Sequence, residues 1–434
     1  MLNNSLKQKP DDNEKIVIKK ESKNYLPWVD IMRGSGIILI TIHHFGLHIF
    51  LGLNVLPIDF LDNIFYYSVI PVFIFLSGYT IYINYNQISS YKTYFRKKFK
   101  YIIPNYLIWG FPTSFFFLSF TLSYNFDPIL VLIATILSVL TGNIWILYFI
   151  FIIIQLYIIY PFILKIIDKL KKPFIFFIIY LLSLLILFII SIYFIDLVSI
   201  AKLTIAIPLK YNYNLNLYYL RYFPISMNYL EYLSFFIFGI LCAKYKSVIS
   251  NLKYHKVILA LLIPLFIFLY IILSGYHANP LMWAPSSQTN NIQTRFVEYF
   301  GWFLNILAQI IYLFILFSFF SKIKFSSNMI EKEKIEKSEI KLKTKKSKFK
   351  WVKNNIKLIL WKIGLYSAGM YYMHFIILYF VLSFQNRLYY DLNSNLYLLF
   401  LIRLLGVLFV LGISYLLVHI LSKNIENSRY IVGI

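Results

Sequence analysis

Arg33 and His44 stand eleven positions apart inside one long apolar stretch, Ile31 to Gly52. At about 100° per residue, eleven steps make three turns plus about 20°, so a helix carries both side chains on one face. At about 1.5 Å per residue, His44 lies roughly 16 Å beyond Arg33. If Arg33 marks one edge of a hydrocarbon layer about 30 Å thick, His44 falls near its middle. Ionisable groups at that depth are costly to hold, and a functional site is the default reading. An imidazole exchanges protons near neutral pH and suits a general base; a guanidinium is a fork of donors that fits phosphate or carboxylate. Two plainer readings stand beside these. His44 could be a neutral histidine hydrogen-bonded to a neighbouring helix, and Arg33 could pair with Asp30 on its own face or snorkel to headgroups.

The elements that position these residues follow from composition. With 60% hydrophobic and only 14% charged residues, the chain carries more apolar surface than a soluble core of 434 residues would hide. Apolar runs of spanning length lie near 31–52, 64–86, 101–123, 145–166, 173–197, 228–245, 257–274, 300–320, 361–384 and 395–421. The expected fold is therefore all-α, a polytopic membrane bundle of about ten transmembrane helices. Lys and Arg concentrate in the connections 87–100, 165–172, 244–256 and 321–357, and alternate connections are poor in them. By the positive-inside rule both termini are cytoplasmic. That count leaves Ile129 to Leu140 without a crossing, so it is expected to be a re-entrant or interfacial piece. The organisation is a polar cytoplasmic tail over 1–27, a membrane domain over 28–421 and a second cytoplasmic tail over 422–434.

The net charge of +24 does not require nucleic acid as a partner. Its largest block is the 321–357 loop, where thirteen Lys face four Glu, and retention of basic loops in the cytoplasm near anionic lipid accounts for it. The single cysteine, Cys242, forms no intrachain disulfide, and no zinc spacing is present, so no metal is expected. A Gly-rich phosphate loop, a dinucleotide fingerprint and a G-x-S-x-G elbow are all missing from the sequence, which argues against ATP-driven transport and hydrolase chemistry.

Five segments in order carry a family resemblance. The first is Trp28-Val29-Asp30-Ile31-Met32-Arg33-Gly34 with His44 eleven positions after the arginine. Pro71-Val72-Phe73-Ile74-Phe75-Leu76-Ser77-Gly78-Tyr79 follows, then the basic run Arg96-Lys97-Lys98-Phe99-Lys100 leading to Pro104, Tyr106 and Trp109. Next comes Gly142-Asn143-Ile144-Trp145-Ile146-Leu147, and last Gly364-Leu365-Tyr366-Ser367-Ala368-Gly369-Met370-Tyr371-Tyr372-Met373-His374. Together they resemble the Arg-x10-His, F-F-x-L-S-G-F, basic-helix, H-L-W-F-L and G-x-x-S-Y-G-x-Y-x-x-H segments of the integral-membrane acyltransferases called acyltransferase family three. Tyr101 stands where an arginine is common, and Asn143 where the family has histidine. The Pro71 and Tyr79 variants resemble the polysaccharide-modifying branch, in the stand-alone form without a fused esterase-like domain.

The resemblance implies a membrane O-acyltransferase of the cell (plasma) membrane. It would move an acyl group, usually acetyl from cytoplasmic acetyl-CoA, to a hydroxyl of an extracytoplasmic glycan or lipid-linked sugar. His44 and Arg33 become the catalytic pair, with His44 as base. Ser77, Gly78, Lys98, Trp145, His374 and Arg403 become candidates for substrate binding. Plainer readings hold for several of these: small residues such as Ser77 and Gly78 allow close helix approach, and Lys98 belongs to an ordinary basic loop. His374 lies near the midplane and could share a cavity with His44, and Arg403 is deep enough to need a buried partner. The Tyr-rich stretch from Leu203 to Tyr229 could stack on sugars or form an interfacial aromatic belt. The alternative function is a transporter or exporter of a glycan or small solute, with the midplane charges lining its path.

Overall fold

The computed structural model describes residues 26–44, 56–121, 128–141, 148–169, 180, 182, 227–250, 255–275, 292–322, 345–391 and 396–424. Among these, every regular element is a helix. They are α1 (Pro27–His44), α2 (Leu56–Tyr85), α3 (Tyr91–Thr121), α4 (Pro128–Thr141), α5 (Tyr148–Lys169) and α6 (Met227–Lys244). The short α7 (Lys246–Ser250) follows, then α8 (His255–Gly275), α9 (Ile292–Phe320), α10 (Lys345–Leu365), α11 (Ser367–Asp391) and α12 (Leu396–Asn424). Two described helices, Phe149–Lys169 and Leu401–Ser422, are long and apolar enough to cross a membrane, and shorter apolar helices accompany them. Prolines inside α2, α3, α5 and α8 interrupt none of these helices, as is common where neighbouring helices re-satisfy the freed backbone groups.

Two backbone-to-backbone contacts organise the bundle. A Cβ on Gly34 of α1 would fall on the Leu360 carbonyl oxygen of α10, and one on Gly364 would fall on the Asp30 carbonyl oxygen. The same reciprocity joins α2 to α6, where Gly78 faces the Phe236 carbonyl and Gly239 faces that of Phe75. Without a hydrophobic driving force between helices in lipid, such small-residue contacts hold them by van der Waals packing.

The buried side chains form two main clusters. One gathers Trp28, Phe75, Tyr79, Phe236 and Phe317; the other gathers Ile37, Val69, Phe149, Met370 and Tyr371. Outward faces are apolar as well. Leu401, Leu405, Leu408, Phe409 and Leu416 are exposed along α12, and Leu261, Leu265 and Phe268 along α8, the surface a lipid solvent requires.

One expectation changes in the structure. The run 361–384 is divided: α10 ends at Leu365, the chain turns at Tyr366 and α11 begins at Ser367. Gly364 presses α10 against α1 there, and the Tyr366 hydroxyl bonds Nδ1 of His419 on α12 at 3.1 Å, which holds the turn. The Lys-rich stretch before it is partly helical, since α10 starts at Lys345. The short piece from Ile129 is a helix of 14 residues, about 21 Å long and so too short to cross a layer of about 30 Å. Its Val131, Ala134 and Val139 are buried, and Tyr106 of α3 donates its hydroxyl to the Val139 carbonyl at 2.7 Å. The expected span 173–197 lies outside the described residues apart from Tyr180, whose hydroxyl donates to Ser234 O at 3.0 Å, and Leu182.

Candidate active site

The site is a column of side chains against one face of α1, in four layers. The outermost lies at the basic end of the bundle, where Lys244 at the end of α6 donates to Ile167 O of α5 at 2.6 Å. Here Arg33 Nη1 donates to Asp30 Oδ1 at 3.4 Å, a loose pair across one helical turn. Beside it Lys98, in the basic turns that precede the apolar part of α3, holds its ammonium 4.5 Å from the Tyr85 ring centre and 5.1 Å from that of Tyr157. Both distances suit a cation–π contact. Burial, and after it the Arg33 charge, push the Lys98 ammonium down to about 8. The two cations feel one another's charge, an arrangement that draws in an anion.

The second layer joins α2 to α5. The Ser77 and Tyr157 hydroxyls share a hydrogen bond of 2.7 Å, both buried. Tyr157 therefore gives its ring to Lys98 and its hydroxyl to Ser77, and Arg33 is near enough to act on it electrostatically.

The third layer is aromatic. Phe73 of α2, one turn from Ser77, has ring centres 6.0 Å from Phe149 of α5 and 6.4 Å from Tyr371 of α11. Phe149 meets Tyr371 edge-on at 4.3 Å. Phe73 also covers α1, because a Cβ on Gly36 would stand 3.0 Å from its ring.

The fourth layer is a pair of imidazoles. Tyr371 lies 5.3 Å from the fully buried His374, whose ring stacks on His44 at 5.8 Å and 24°. His374 Nδ1 stands 3.2 Å from the Met370 carbonyl one turn before it. A carbonyl only accepts, so Nδ1 carries the proton and the Nε2 lone pair is left to accept one. That Nε2 is buried without a protein partner among the described residues. An imidazole with a defined tautomer and a buried lone pair can take a proton from a hydroxyl.

The column brings together Arg33, Lys98 and Ser77 at one end and His44 and His374 at the other. It does not include Gly78, whose Cα faces the α6 backbone, or Arg403, which sits half-buried on α12. Trp145 lies outside the described residues, as do Tyr211, Tyr213, Tyr218, Tyr219 and Tyr222 of the aromatic stretch. Tyr371 matches a position of the last motif with no role assigned to it, and Tyr157, Tyr85 and Phe149 carry no signal in the sequence. In a chain with 38 tyrosines and 42 phenylalanines, one more aromatic in an apolar helix has no contrast. A family model described as an acyltransferase domain, Acyl_transf_3, matches residues 26–419. The chain belongs to acyltransferase family three. No curated protein and no solved structure matches it.

The chain is thus an acyltransferase, of a family whose members are membrane proteins. An acyltransferase needs a donor, an acceptor, and a base for the acceptor's proton. Its glycines have a separate use. Gly34, Gly78 and Gly364 fall in the recognised motifs, and each meets another helix's backbone. Gly34 and Gly78 fix the helices that carry Arg33 and Ser77, and Gly364 fixes α10, which ends at the turn before the helix that carries His374.

Proposed function

We propose that this acyltransferase moves an acyl group, acetyl in the first instance, from cytoplasmic acyl-CoA to a hydroxyl of an extracytoplasmic glycan or lipid-linked sugar. It does so as a ten-span protein of the plasma membrane with both termini in the cytoplasm. The observation that carries this reading is the polarity of the column, with paired cations at the Lys-rich end and paired imidazoles at the other. Coenzyme A has the matching polarity: phosphates at one end and a thioester at the end of a long arm. Arg33 and Lys98 hold the phosphates, and the Ser77–Tyr157 pair offers hydroxyls to the arm. His44, with His374 stacked on it, takes the acceptor's hydroxyl proton as the oxygen attacks the thioester carbonyl. The C–O bond forms, the C–S bond breaks, and the proton passes to the leaving thiolate.

The test uses the purified chain in sealed vesicles, with acetyl-CoA on the Lys-rich side and surface glycan on the other. Ester appearing on the glycan, and the matching acyl mass lost from cells that lack the protein, is the expected result. Movement of glycan or solute across the vesicle with no donor present would instead favour transport.

Two smaller predictions follow from the outer layers. Because Lys98 is charged below about 8 and neutral above it, acyl-CoA affinity should fall as pH rises through that value, by up to about tenfold per unit. Lys98→Arg keeps its charge and should flatten the curve, measured by equilibrium binding from about pH 6.5 to about 9.5. Tyr157→Phe keeps the ring and removes the hydroxyl bonded to Ser77. It should raise the acyl-CoA KM by about 2- to 10-fold, the worth of one hydrogen bond. Ser77→Ala added to it should cost little more, since both remove the same bond.

A further inference from the structure

The aromatic layer lies between the cation pair and the two imidazoles. Phe73, Phe149 and Tyr371 come from three helices, and Phe73 reaches the fourth at Gly36, three residues beyond Arg33 and eight before His44. Tyr371 is also the immediate neighbour of His374, one turn toward the Lys-rich end. A thioester arm reaching from the cation pair to the imidazoles, as the proposed function has it, would run beside these rings. The Ser77–Tyr157 layer below them is hydrogen-bonded, whereas these three rings meet one another through aromatic contacts.

We propose that Phe73, Phe149 and Tyr371 form an aromatic sleeve that selects the donor by the size of its acyl group, with Phe149 as the ring that sets the limit. The inference rests on the reading that the donor is an acyl thioester of coenzyme A. The three rings all touch one another, and Phe149 makes the shortest of these contacts, edge-on to Tyr371 at 4.3 Å, so a longer chain is expected to displace it first. Close packing tolerates added volume poorly, and one methylene in such a pocket is worth about 10- to 200-fold in discrimination. On this proposal a two-carbon acyl group is accepted beside the rings and a four-carbon group is disfavoured.

The experiment compares equilibrium binding of acetyl-CoA, butyryl-CoA and coenzyme A by the full-length chain purified in detergent. Unaltered protein is expected to bind acetyl-CoA at least about tenfold more tightly than butyryl-CoA. Phe149→Ala should bring that ratio to about threefold or less, and Phe149→Leu should give an intermediate value. Phe73→Leu provides the same comparison if Phe149→Ala does not remain monodisperse. A ratio unchanged in folded Phe149→Ala and Phe149→Leu overturns the sleeve. Equal binding of all three molecules by the unaltered chain also overturns it, and leaves the donor reading standing. Binding of none of them overturns the donor reading and the sleeve together.

Discussion

Replacing His44 with alanine is expected to lower acyl transfer by about 10²- to 10⁴-fold, the usual worth of a general base, with expression and acyl-CoA binding retained. His374→Ala should produce a loss of the same order, because the two rings stack at 5.8 Å and His374 presents a tautomer fixed through Met370. Groups that act as one unit are not additive, so the double variant should be no slower than the worse single one. The measurement is initial rate of ester formation at saturating donor, with the three variants at matched expression. Independent losses that multiply would separate His374 from the chemistry and make it a packing residue. Full activity in His44→Ala would sink the assignment of the base.

Gly364→Ala and Gly34→Ala are expected to be strongly destabilising single-methyl additions. Each new Cβ would lie on a carbonyl oxygen of the opposite helix, Asp30 for Gly364 and Leu360 for Gly34. Backbone has no rotamer to give way, so the helices must separate. Overpacking of this kind costs about 1–3 kcal/mol, occasionally more. Gly412 is the control: a Cβ there meets nothing within 4 Å, and alanine is the better helix former by roughly 0.8–1.0 kcal/mol. Thermal unfolding in detergent should therefore show a clear fall for Gly34→Ala and Gly364→Ala, and no fall for Gly412→Ala. Equal behaviour of all three would mean that the contact between α1 and α10 does not hold the fold.

Much of this site could be read from spacing within one helix. Eleven residues put Arg33 and His44 on one face, and three put Asp30 beside Arg33, because the helical repeat is set by backbone geometry alone. Depth along separate helices also brought His44 and His374 to a common level, although only the structure stacks their rings. What spacing leaves open is which helices touch. Gly78 is open in the sequence to a packing contact, the favoured reading, or a ligand wall, and Phe236 of α6 opposite it decides for packing. Tyr157 had no signal, since its meaning depends on Ser77 and Lys98 arriving from two other helices. The turn at Tyr366 was hidden for a different reason. The apolar run continues straight through it, and what holds the bend is His419, distant in sequence.

The contact of Gly34 with α10 also fixes the rotational phase of α1. Gly34 meets the Leu360 carbonyl and the Gly364 nitrogen, so the helix has one angular setting at that point. Every later residue inherits it. One residue inserted between Gly34 and His44 would turn His44 by about 100° and raise it by about 1.5 Å, off His374 and away from the column. Substitutions in that stretch leave the clock running, and insertions or deletions reset it. The distance from Gly34 to His44 is therefore a length that the chemistry reads directly, however freely the side chains between them change.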